Sequence, residues 1–139
     1  MDNISQNIEM IEQIDARLDS APEYLNARVN ELVSFVSGFP YPAWIKDYTT
    51  RMIYINPSYE RTFNVTVEEY NNKYDFEVWN NSHSNEYGAN DRRVMESRQY
   101  IKTQETYLDT DGVEHPVNIL KWPLIHKGEV IGVAGIVEG

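Results

Sequence analysis

The order of the hydrophobic patterns constrains this chain most. Two short β-like runs, Ala43-Trp44-Ile45 and Met52-Ile53-Tyr54-Ile55, flank a polar turn at residues 47–51. Three longer β-like stretches close the chain at residues 100–108, 113–125 and 130–137. Asp109-Thr110-Asp111-Gly112 and His126-Lys127-Gly128-Glu129 join these three, and both read as hairpin turns. Between the early pair and the late triplet the signals are helical. Asn56-Pro57 is an N-cap followed by Pro at N1, and Tyr59 and Phe63 fall four apart behind it. Thr66 is placed to cap residues 67–70, and Asp75 to cap residues 76–79. Residues 82–97 form a longer helix with Tyr87, Asp91 and Val94 on one face. This order predicts an α+β fold: a five-stranded antiparallel sheet with helices on one face.

Two further helical patterns precede the sheet. Ile4, Ile8, Ile11 and Leu18 make one apolar stripe, and Ser20-Ala21-Pro22-Glu23 reads as the end of one helix and the start of another. Leu25, Val29, Leu32, Val33 and Val36 continue the second helix, which stops near Gly38 and Pro40. A stripe this short is not stable alone and must pack on something. Two domains are expected: residues 1–38 as an N-terminal helical segment for dimerisation or capping, and residues 39–139 as the sheet domain. The expected partner for the stripe is a second copy of the chain, with packing on its own domain as the alternative. Ile4, Ile8, Ile11, Leu18, Trp44 and Tyr54 are the expected interface residues.

Composition narrows the chemistry. With 22 acidic and 12 basic residues the net charge is −10, which argues against a nucleic-acid surface on this domain. The absence of cysteine removes disulfides, thiolate nucleophiles, cysteine-ligated metals and cysteinyl-flavin photochemistry. No apolar run approaches the ~18 residues of a membrane span, and the acidic N-terminus lacks a signal-peptide layout, so the expected location is the cytoplasm. Ten of the residues are Tyr, which predicts an interior with polar handles. His83, His115 and His126 share no ligand spacing, and no catalytic or phosphate-binding motif occurs. Metal sites and enzymatic activity are therefore not expected.

Several of these pieces, in this order, resemble a PAS domain. They are Ala43-Trp44-Ile45-Lys46-Asp47 with Ile53-Tyr54-Ile55-Asn56-Pro57, Tyr74-Asp75-Phe76-Glu77-Val78-Trp79, Asn90 to Ser97, and Lys121-Trp122-Pro123-Leu124 with Gly128 to Ile136. Thr49-Thr50 stands where the family usually has Asp-Gly, and Asn72 where Gly is common. The resemblance implies a noncatalytic sensory and dimerisation module of bacterial signalling, cut short of its output domain. A histidine kinase, a diguanylate cyclase of cyclic-di-GMP signalling or a transcriptional regulator would be such an output. It further implies a small-molecule pocket between the sheet and the helices, or a ligand-free interaction module as the alternative. No cofactor is expected: haem would need a His on the inner face of the long helix, and a noncovalent flavin is a minor alternative.

Projecting strand alternation onto that pocket gives its expected lining. Ile45, Ile55, Phe63, Trp79, Tyr87, Asp91, Val94, Tyr107, Ile119, Lys121 and Val133 are the candidate ligand-binding residues. Trp44 and Tyr54 are expected on the other face, toward the N-terminal helices. Lys121, between Leu120 and Trp122 in a strand, is an ammonium that burial penalises unless it is paired. Asp91, Glu105 and Lys121 are therefore expected either to form an internal ionic link or, through Lys121, to bind a ligand carboxylate. A third reading makes Asp91 the general base of a small enzyme, with Tyr donors around it.

Overall fold

The computed structural model describes residues 32–79 and 82–138. Ile4, Ile8, Ile11 and Leu18, and with them the expected dimer stripe, lie outside the described residues, and of the second predicted helix only residues 32–37 are described, as helix.

The strands are β1 (Ala43–Asp47), β2 (Met52–Ile55), β3 (Ile101–Leu108), β4 (Glu114–His126) and β5 (Glu129–Val137). They form one sheet in the order β2-β1-β5-β4-β3, with every neighbouring pair antiparallel. The middle of the chain supplies α1 (Pro57–Phe63), α2 (Val67–Tyr70), α3 (Asp75–Val78) and α4 (Ser84–Ser97). The α+β architecture, the five antiparallel strands and the helical middle are thus as the sequence predicts.

Local chemistry fixes the turns. Between β1 and β2 the Asp47 carboxylate accepts from the Thr49 amide at 2.9 Å and the Arg51 amide at 3.1 Å, while Thr50 takes φ 73°. The side chain of Asp47 thus stabilises a turn that glycine would adopt without strain. In the β4–β5 turn Lys127 (φ 51°) and Gly128 (φ 83°) are both left-handed, as a two-residue hairpin of matching twist requires. Asn56 is more than a cap. Its Oδ1 accepts from the Tyr59 amide at 2.9 Å and the Ala43 amide at 3.0 Å, and its Nδ2 donates to the Val36 and Tyr41 carbonyls, each at 2.9 Å. One buried amide thereby ties helix 32–37, β1 and α1 together.

Two expectations are corrected here. Asp75 does not cap residues 76–79. Tyr74 holds the N-cap position, its amide donating to Glu77 Oε2 at 2.8 Å, and Asp75 is the first helical residue with its carboxylate turned inward. The facing of β1 is also opposite to that expected. Ile45 packs on the outer face with Leu32, Val36, Leu120 and Trp122, whereas Trp44 packs on the helical face with Tyr59, Phe63 and Ile119. The physical reason is that both faces are covered, so Ala43, Trp44, Ile45 and Lys46 are all buried and no apolar–polar contrast marks the inner side. A bulge adds to this. Ile45 opposes Tyr54 and Lys46 opposes Met52, leaving Ile53 as the extra residue, so Met52 and Ile55 both face the helices and Tyr54 faces away.

Candidate functional site

Between the sheet and α1–α4 lies a cavity with about 50 Å³ of space for the centres of water-sized groups. One water needs about 10–15 Å³ by this measure, so there is room for roughly four waters or one small organic molecule. Its walls are aromatic. Trp44 from β1, Tyr59 and Phe63 from α1, Tyr70 from α2, Trp79 after α3 and Tyr107 from β3 all line it. These rings meet edge to face: Phe63 with Tyr107 at 72°, Trp79 with Tyr107 at 84° and Tyr59 with Tyr70 at 71°. Gly135 on β5 lets Trp44 sit down on the sheet, because a Cβ there would lie 2.3 Å from the Trp44 ring.

Along one side of the cavity runs a chain of buried charges. Lys46 Nζ lies 2.6 Å from Asp75 Oδ2 and 2.5 Å from Asp91 Oδ2. Lys121 Nζ lies 2.8 Å from Asp91 Oδ1 and 2.6 Å from Glu105 Oε2, and donates to the Tyr87 carbonyl at 3.3 Å. Asp91, fully buried, is therefore shared between two ammonium groups. The ends of the chain are hydrogen-bonded as well. Tyr70 donates its hydroxyl proton to Asp75 and accepts from Trp79 Nε1 at 3.0 Å, while Asn90 donates to Glu105 Oε2 at 3.0 Å. Five elements, α3, α4, β1, β3 and β4, each contribute one charged group.

The ionisation of these groups follows from their partners. Burial alone would push Asp91 up, but Lys46 and Lys121 outweigh it and hold the carboxyl below the usual range. Burial likewise works against the Lys46 ammonium, yet Asp75 and Asp91 hold its pKa above the usual lysine value. At Glu105 burial wins, and the carboxyl is raised despite Lys121. Burial also raises the Tyr59, Tyr70 and Tyr87 hydroxyls, with Asp75 adding at Tyr59 and Glu105 at Tyr87, so all three remain protonated donors at neutral pH.

Of the sequence-derived candidates, Phe63, Trp79, Tyr87, Tyr107, Ile119 and Lys121 line the cavity. Ile55 packs in the aromatic cluster behind it, and Asp91 and Val94 are buried on α4. Val133 is buried beside Lys46, its partner across the β1–β5 pair. Ile45 is on the opposite face and Trp44, expected at a dimer interface, is a cavity wall; Tyr54 is half-buried on the outer face as expected. Lys121 has all three N–H donors engaged by Asp91, Glu105 and the Tyr87 carbonyl, so it offers none to a ligand carboxylate.

Sequence reasoning missed Lys46, Asp75, Tyr59 and Tyr70 as site residues. Lys46 carries the signal that singled out Lys121, a lysine inside an apolar strand, and the inverted facing of β1 hid it. Among the described residues no group of three His, Asp or Glu side chains is arranged to hold a metal, and no helix is long and apolar enough to cross a membrane.

The family model described as PAS fold matches residues 36–138. This chain belongs to the PAS family. Solved structures similar to this PAS domain include VqmA of Vibrio cholerae in a complex with ligand and DNA, at 22% identity and a TM-score of 0.66, covering 78% of this chain and 50% of that one. A phage VqmA–DPO complex is similar at 22% identity and a TM-score of 0.70, covering 81% of this chain and 53% of that one. The PAS domain of Bordetella pertussis BvgS is similar at 21% identity and a TM-score of 0.70, covering 80% of this chain and 85% of that one. At these identities the likeness carries the fold. This PAS domain spans about half the length of the VqmA chains it matches. No curated protein sequence matches it.

Proposed function

We propose that this PAS domain is the noncatalytic sensory input of a bacterial signal-transduction protein and binds a small molecule in the cavity between sheet and helices. The observation that carries the proposal is that cavity: seven aromatic side chains around a small space, with a chain of charges at its side. The VqmA structures, solved with ligand and DNA or with DPO, are similar in fold and support the same reading. The ion chain offers a route for the signal. A ligand touching Glu105 or Tyr107 on β3 touches strands and helices that share one charge network, and it shifts the domain between two states by its differential affinity for them. The output would be a histidine kinase, a diguanylate cyclase or a transcriptional regulator in the cytoplasm, with residues 1–38 pairing two copies of the chain.

Native mass spectrometry of the purified protein, with a thermal-shift screen of a metabolite library, tests this. A bound molecule or a ligand raising Tm, on a dimer, supports the proposal; a monomer that no compound stabilises overturns it. The small size of the cavity favours a second reading, a ligand-free interaction module, which expects that no compound stabilises the chain, whether monomer or dimer.

A further inference from the structure

We infer that the cavity takes a small organic cation, a monoamine in its ammonium form, seated against aromatic faces with its N–H groups toward Glu105. The inference rests on the sensory reading and adds the chemical class of the ligand. Three observations carry it.

The first is charge. Asp75, Asp91 and Glu105 stand against Lys46 and Lys121, all five buried, so the fully ionised chain is one positive charge short. An uncompensated buried charge is expensive, and a bound cation supplies the missing partner. The second is valence. Glu105 lines the cavity, and its ion pair and hydrogen bond among the described residues both fall on Oε2. Oε1 takes part in neither contact, and a carboxylate oxygen of a cavity-lining residue is an acceptor for a donor bound there. An anionic head group finds little at the lysines, because Lys121 has its three donors engaged and Lys46 has two of its three on Asp75 and Asp91; the cavity's remaining buried donor is the neutral Trp44 Nε1, which carries no charge to balance an anion. The third is the wall. Trp44, Phe63, Tyr70, Trp79 and Tyr107 line the space, and the faces of aromatic rings attract cations. One ammonium already uses this: Lys121 Nζ lies 5.8 Å from the centroid of the Trp44 ring.

Three probes of nearly one shape test the charge: benzylamine, benzyl alcohol and benzoate, titrated by calorimetry into the full chain at neutral pH. Benzylamine should bind about ten-fold tighter than benzyl alcohol, with benzoate weakest, a gap of the size one charge-assisted contact with ring faces supplies. Glu105→Gln should reduce the amine preference to about two-fold or less, since it removes the anion and keeps the shape. Should Glu105→Gln fail to fold in a parallel thermal melt, Tyr107→Leu decides: it deletes a ring outside the ion chain and should weaken benzylamine more than benzyl alcohol. A preference that survives Glu105→Gln, or is unmoved by Tyr107→Leu, overturns the inference. So does benzoate or benzyl alcohol binding as tightly as benzylamine, a result that leaves the sensory reading standing. If none of the three binds while the metabolite screen finds a ligand, the cation alone falls; if the screen is also empty, both fall.

Discussion

The two faces of the sheet solve the same burial problem in opposite ways. The outer face is apolar: Leu32 and Val36 from the helix pack on Ile45, Leu120, Trp122 and Ile136. The inner face buries five charged groups and a set of aromatic rings around a small cavity. An apolar face gains stability from area alone and tolerates approximate shapes. A buried ion chain gains little net stability but fails sharply when one member is lost. The outer face therefore holds the domain together, and the inner face is where a local change has consequences for shape.

Removing Asp91 should break this contrast most severely. Asp91→Ala leaves two buried ammonium groups short of one shared partner, and the loss should be about 3–5 kcal/mol in chemical denaturation. If that variant loses under about 1 kcal/mol, the ion chain is not the sensitive side. On the outer face, Leu120→Ala should cost about 2–4 kcal/mol, from lost transfer energy and a cavity. Its cost should be the same across mildly acidic and neutral pH, because the buried residues of that cluster do not titrate and the tyrosines packed against it stay protonated there. A pH-dependent cost would mean that the two faces are coupled.

Gly135→Ala is a milder and more selective change. The new methyl group cannot coexist with the Trp44 ring where it lies, so the indole must move toward the cavity. The expected stability loss is about 1–3 kcal/mol, while small-molecule binding should fall further than stability does. Binding unchanged by Gly135→Ala, measured in the titration used for the probes, would show that the Trp44 wall is dispensable.

The smallest expected effect is the dependence on pH, where two carboxyls of one chain act in opposite directions. Asp91 is held below its ordinary value of 3.8, so its contribution is present above that value and is lost as pH falls through the lower folded one. Glu105 is raised above its ordinary value of 4.5, so its contribution is present below that value and fades as pH rises through the higher folded one. Unfolding free energy should therefore decline toward neutral pH by a small amount that Glu105→Gln removes. Denaturation curves across that range, compared between the two proteins, check the sign.

Much of the fold was legible because its signals are local. Asn56-Pro57 starts a helix, Thr66 caps one, and Asp-Gly and Lys-Gly turn hairpins through interactions within a few residues. The site was legible where strand alternation held, as at Ile119 and Lys121 on β4 and Tyr107 on β3. It failed at β1, where burial on both sides removes the contrast that alternation depends on and the bulge at Ile53 shifts the phase in the neighbouring strand. At Asp75 the sequence predicts a cap, because a carboxylate at a helix start is good local chemistry. Its actual partner, Lys46, is 29 residues away in sequence.

By itself, the sequence determined the order of elements, the turns and the exclusion of thiol chemistry, since each follows from residue identity and near neighbours. Only the tertiary structure decided which face of β1 looks inward and which three carboxylates meet which two lysines. Those choices depend on groups far apart along the chain reaching the same few ångströms, and a buried charge has no stable place until its partners arrive there with it.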